Sequence, residues 1–218
     1  MNALGGAAAR RGTLVKVCGV RTPAAARAVA AAGADAIGVV LVPGSPRLVG
    51  EATAFEIADA VGPGFPCVAV VTANTMPAAI REGWSGPIQF HGGEGERTVA
   101  CIAALRPRWH VIKAIHLADP AAAGWAVSSA IRALLLDAAQ PGGGVAFDWS
   151  AAVAMRESSR VPFILAGGLT PENVGAAIAQ LKPDAVDVSS GVESAPGVKD
   201  IERVRRFLMA VRAADAAR

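Results

Sequence analysis

The segment Val161-Pro162-Phe163-Ile164-Leu165-Ala166-Gly167-Gly168-Leu169-Thr170-Pro171-Glu172-Asn173 holds one complete passage from strand to loop to helix. Residues 162–166 are apolar without alternation, as expected of a parallel strand covered on both faces. Two glycines then release the backbone from side-chain constraints. Thr170-Pro171 reads as a helix start, with a hydroxyl N-cap and proline at the first helical position.

Working outward, the same unit recurs along the chain. Strands are expected at residues 14–18, 36–42, 66–71, 87–90, 110–115, 133–137, 162–166 and 185–188. Between them lie alanine-rich helical stretches at 23–32, 51–61, 76–82 and 96–105, with Thr22-Pro23 opening the first. A weak helix containing Gly124 follows Asp119-Pro120, another starts near Ser150, and Asp200 opens the last. An open doubly wound sheet usually has fewer strands. Eight strand–helix pairs in 218 residues predict an α/β protein built as a single (β/α)8 TIM barrel. The barrel is expected over residues 13–218, with residues 1–12 as a flexible N-terminal extension.

Composition narrows the function. Only 5% of residues are aromatic and tyrosine is absent, which argues against a stacking surface for nucleic acid. The net charge of +3 suits a small anionic metabolite. Arg203, Arg205 and Arg206 read as a solvated helix face. Three cysteines, Cys18, Cys67 and Cys101, match no disulfide or metal framework and suggest a reducing, cytoplasmic setting. Cys67 and Cys101 read as small buried apolar residues. The first residues lack the pattern of a secretory signal, and no apolar run is long enough for a membrane helix.

In such barrels the active site lies at the C-terminal ends of the strands, and phosphate often binds after strands 7 and 8. Gly167 and Gly168 follow strand 7, and Ser189, Ser190 and Gly191 follow strand 8. Both loops offer backbone or hydroxyl donors to an anion. Cys18 ends the first strand, facing the barrel mouth, where a thiol of lowered pKa would serve as a base. Asp137 ends the sixth strand after three leucines, either as a loop cap or as a general acid. Arg47, in the loop Pro43-Gly44-Ser45-Pro46-Arg47, offers a fork for a carboxylate. His91 follows the fourth strand as a turn residue or a substrate contact. His110 and His116 have no such context, and no two histidines have zinc-ligand spacing.

Taken in order, these motifs resemble the phosphoribosylanthranilate isomerases of tryptophan biosynthesis over nearly the whole chain. The resemblance rests on Lys16-Val17-Cys18-Gly19, Gly44-Ser45-Pro46-Arg47, Gln89-Phe90-His91-Gly92, Leu136-Asp137 and Phe147-Asp148-Trp149. It continues through Leu165 to Leu169, Pro171-Glu172-Asn173, Asp187 to Glu193, and Pro196 to Asp200. It implies an aldose–ketose isomerase that performs an Amadori rearrangement without metal or cofactor. Asp137 would be the general acid and Cys18 the general base. Arg47 would bind the anthranilate carboxylate, with His91 and Asp187 as further substrate contacts. The partner would be a small phosphorylated substrate, without nucleic acid or membrane, and the chain a monomer or homodimer. The chain departs from the family at Gly143, where a small hydroxyl residue is usual, and at Val145, where lysine is common. A related phosphate-binding barrel isomerase, or a paralogue acting on a modified substrate in secondary metabolism, is the alternative.

Overall fold

The computed structural model describes residues 2–6, 12–137 and 150–218. The loop at 140–148, with Gly143 and Val145, lies outside them, as do residues 7–11 of the extension. Among the described residues, eight parallel strands close into a barrel in sequence order. They are β1 (Leu14–Cys18), β2 (Ala36–Val40), β3 (Cys67–Val71), β4 (Ile88–Phe90), β5 (Val111–His116), β6 (Ala133–Asp137), β7 (Phe163–Ala166) and β8 (Ala185–Val188). Around them lie α1 (Pro23–Ala31), α2 (Glu51–Val61), α3 (Ala78–Gly83), α4 (Glu96–Leu105), α5 (Ala122–Ala126), α6 (Ser150–Ser158), α7 (Val174–Leu181) and α8 (Ile201–Ala216). A small antiparallel pair, β9 (Glu193–Ala195) and β10 (Val198–Lys199), follows β8.

Side chains alternate along each strand with period two. Val15, Val17, Ile37 and Val39 join the apolar layer beneath the helices. Their neighbours Leu14, Ala36, Val68, Ile112, Ala114, Ala133, Leu135, Ile164 and Ala185 form a second cluster inside the barrel. Many of these are alanine, and the space they leave is filled from elsewhere.

Part of that filling comes from the N-terminus. Residues 2–6 are not a free extension: Leu4 is fully buried and joins the interior cluster with Ala3. The side-chain oxygen of Asn2 accepts from the backbone of Leu4 and Gly6 at 3.0 and 3.1 Å. His110 Nε2 lies 3.2 Å from the Ala3 carbonyl. The apolar interior of the barrel favours any leucine that can reach it.

Three other expectations need revision. The chain does not enter α7 at Thr170-Pro171. Asn173 Oδ1 accepts from Thr170 N at 2.7 Å, so a side-chain-closed turn precedes Val174. Cys101 is exposed on α4, whereas Cys67 is buried as expected; burial pushes the Cys67 thiol up to about 12. The third helix begins at Ala78, two residues later than its sequence suggests. The caps at Thr22 and Asp200 form as expected, each side chain accepting from backbone N–H groups of its first turn.

Candidate active site

The C-terminal ends of the strands surround a cavity of about 390 Å³. Cys18, Arg47, His91, Asp137, Gly167, Gly168, Asp187, Ser189 and Ser190 all line it. Gly191 stands behind the wall. A Cβ there would lie 2.0 Å from the Leu169 carbonyl oxygen, so glycine allows the loop after β8 to rest on the loop after β7. In the latter loop, Gly167 and Gly168 have φ of 91° and 63°, conformations that side chains disfavour. Asn173 Nδ2 donates to the Gly168 carbonyl at 2.9 Å and ties this loop to the start of α7.

Beneath the cavity lies a chain of polar groups inside the barrel. Lys16 is fully buried; its Nζ donates to Asp187 Oδ2 at 2.7 Å and to Gln89 Oε1 at 3.0 Å. With its oxygen facing Lys16, the Gln89 amide presents N–H to His91 Nδ1 at 3.3 Å. That arrangement puts the ring proton on Nε2, which lies 3.6 Å from Asp137 Oδ2. Burial pushes the His91 imidazole below its ordinary value despite the Asp137 charge, so the ring is neutral at pH 7. Burial opposes the charge on Lys16 too, but Asp187 and Cys18 together outweigh it and hold the ammonium above the usual lysine range. The loop bearing His91 is pinned from outside. Lys113 Nζ donates to the Gly92 carbonyl at 2.5 Å and to Glu94 at 2.9 Å.

Cys18 sits two residues beyond Lys16 on the same inward face. Gly38 makes room for both, since a Cβ there would meet Cys18 Sγ at 2.8 Å and Lys16 Cε at 3.2 Å. The expectation of a lowered thiol pKa is corrected. Burial pushes Cys18 up, and the positive charges of Lys16 and Lys199 oppose this without overcoming it.

Arg47 is half-buried and held in place. Its Nε and Nη2 donate to the two oxygens of Glu193 at 2.8 and 2.7 Å. Lys199 donates to the same carboxylate at 2.7 Å and to the Ser189 carbonyl at 3.2 Å. Burial raises the Glu193 carboxyl, but the Arg47 and Lys199 hydrogen bonds prevail and hold it down at about 2. Gly19, with φ of 79°, lets the arginine cross the end of β1; a Cβ there would stand 2.4 Å from Arg47 Cδ.

Lys16, Gln89, Glu193 and Lys199 gained no role from sequence. The signal for two of them was present as strand parity. Lys16 and Gln89 each stand two residues before a proposed site residue, and so face the same way. Glu193 and Lys199 depend on the β9–β10 pair, which no apolar pattern announces.

The model of the family described as N-(5'phosphoribosyl)anthranilate (PRA) isomerase matches residues 15–210. The N-(5'-phosphoribosyl)anthranilate isomerase of Synechococcus elongatus is 40% identical, over 88% of this chain and 93% of its own. The crystal structure of the Thermotoga maritima phosphoribosyl anthranilate isomerase is 32% identical and superposes with a TM-score of 0.81, covering 92% of this chain and 99% of that one. Another solved isomerase, in complex with reduced 1-(o-carboxyphenylamino)-1-deoxyribulose 5-phosphate, is 31% identical with a TM-score of 0.78 and the same coverage. A barrel closed in sequence order, a cavity at its strand ends and relatives aligned over nearly their full length lead to one conclusion: the chain belongs to the phosphoribosylanthranilate isomerase family.

Proposed function

We propose that this protein converts N-(5-phospho-β-D-ribosyl)anthranilate to 1-(2-carboxyphenylamino)-1-deoxy-D-ribulose 5-phosphate by general acid–base catalysis. The observation that carries this reading is the meeting of Cys18 and Asp137 in one cavity, between the Arg47 fork and the Gly167-Gly168 and Ser189-Ser190 loops.

The two loops hold the phosphate through backbone N–H and hydroxyl donors. At the other end, Glu193 occupies Nε and Nη2 of Arg47 and aims the guanidinium, leaving Nη1 for the anthranilate carboxylate. The ribose is then fixed between acid and base. Asp137 donates a proton to the furanose oxygen as the ring opens to the Schiff base. Cys18 removes the proton from C2′, giving an enolamine that tautomerises to the ketone. The Lys16 ammonium below Cys18 favours the thiolate as it forms. His91, neutral with its proton on Nε2, donates toward the carboxylate that Asp137 becomes. Asp187 serves the substrate indirectly, by fixing Lys16 at the cavity floor.

A monomer or a homodimer belongs to this reading. The described cysteines are unpaired, and a cytoplasmic location belongs to the same reading. No helix among the described residues is long and apolar enough to cross a membrane.

Freshly made phosphoribosylanthranilate is fluorescent, and wild-type protein is expected to consume it. No loss of fluorescence at micromolar enzyme would overturn the proposal and favour a modified substrate.

A further inference from the structure

Three side chains able to bind metal meet at the barrel mouth from successive strands. His91 follows β4, His116 ends β5 and Asp137 ends β6. His116 and Asp137 are direct register partners across β5 and β6. The two imidazole rings meet edge to face, with centroids 6.4 Å apart. One donor atom from each of the three side chains lies within 4.8 Å of the other two. Strand closure makes this group; spacing along the chain does not reveal it.

We propose that His91, His116 and Asp137 form a zinc-binding site whose occupation stops the isomerase. Two imidazoles and a carboxylate, with a fourth position open to water, are a known donor set for a single zinc ion. Bonds of about 2.0–2.1 Å place tetrahedral donors roughly 3.4 Å apart. His116 is the exposed member, so rotation of its side chain can draw the donors in without moving the barrel. The order of affinities among first-row divalent ions places zinc and copper above iron and manganese at such nitrogen-rich sites.

The surroundings set the strength of binding. Zinc on His91 Nε2 moves the ring proton to Nδ1, which faces the Gln89 amide at 3.3 Å. Gln89 must then turn its oxygen toward the ring and give up its bond from Lys16. That cost makes the site weaker than a structural zinc centre, whose outer partners are already in place. Inhibition follows from the role proposed above for Asp137, because a carboxylate bound to zinc holds no proton to donate.

The test compares metal-free wild type with His116→Asn, an exposed change outside the reacting groups. Cobalt(II) chloride is titrated while visible absorbance is followed, and zinc chloride is then added in competition. Wild type is expected to show the d–d bands of tetrahedral cobalt, lost when zinc is added. His116→Asn is expected to bind at least about tenfold more weakly, with metal-free turnover unchanged. Absence of the bands in wild type would overturn the site. So would unchanged affinity in His116→Asn, or a near-ultraviolet thiolate-to-cobalt band that puts the metal on Cys18. Turnover is measured on the same zinc-loaded samples. Full activity with zinc bound would overturn the inhibition and remove Asp137 from its role as acid, while the cobalt bands alone decide whether the three side chains hold the metal.

Discussion

Lys16 and Asp187 are register partners across the seam between β1 and β8, and their side chains meet at 2.7 Å inside the barrel. Lys16 has no exposed surface, and Asp187 has only 8%. Its second oxygen, Oδ1, has no hydrogen-bond partner among the described residues. Such a pair is costly to bury and costlier to break. Lys16→Met is expected to lower unfolding free energy by about 3–5 kcal/mol in urea titration. The double variant Lys16→Met/Asp187→Leu should recover much of the loss, because no unpaired charge remains. Equal stability of the single and double variants would show that the charge plays no part.

Asp137→Asn and Cys18→Ala should each lower kcat by about 10²–10⁴ while retaining the barrel's far-ultraviolet circular dichroism. The raised Cys18 pKa adds a pH signature. In the free enzyme burial holds the Cys18 thiol above the ordinary thiol range, so it should remain protonated at neutral pH. Ultraviolet thiol titration against Cys18→Ser checks the assignment. A Cys18 thiolate that is fully formed at pH 7 would contradict it.

Glu193 has a depressed pKa, so its contribution to stability is present above its unfolded value near 4.5 and is lost as pH falls toward about 2. The loss is at most about 3 kcal/mol. Glu193→Gln should flatten the acid limb of stability between those limits when urea midpoints are plotted against pH. It should also raise KM, because Arg47 loses the carboxylate that aims it.

Arg47→Lys keeps the charge and loses the fork. KM for phosphoribosylanthranilate should rise about tenfold or more, with a smaller change in kcat. Steady-state kinetics with an unchanged KM would leave the anthranilate carboxylate without its proposed partner.

Leu4→Ala should cost about 2–4 kcal/mol of stability through lost burial and a residual cavity. Turnover per folded molecule should not change, since Leu4 lies at the end of the barrel away from the strand-end cavity. Urea midpoints and active-site-normalised rates separate the two effects.

The barrel was legible because each strand is short, apolar and followed by a helix start, and because Gly167-Gly168 marks the loop where two such elements meet. Cys18, Asp137 and Arg47 stood out as chemistry-bearing residues at strand ends. Lys16 and Gln89 were hidden by the same logic: one polar residue inside an apolar strand looks incidental until closure gives it a partner. Leu4 was missed because the interior cluster it joins gathers residues from many strands, Leu14, Ala36, Val68 and Ala185 among them, and no local pattern links them. The sign of the Cys18 shift was missed for a related reason. Burial beneath the loops outweighs the nearby ammonium, and burial is a property of the whole fold.

The seam between β1 and β8 also bears on how the protein is made. Lys16 leaves the ribosome first and Asp187 follows 171 residues later. At about 5–20 residues per second, that interval is roughly 10–30 s. Until then the Lys16 ammonium lacks its Asp187 partner, and burying it unpaired within a half-made barrel would cost several kcal/mol, on the order of a broken buried ion pair. Arrival of β8 removes that cost, and the buried ion pair thus ties closure of the barrel to its eighth strand.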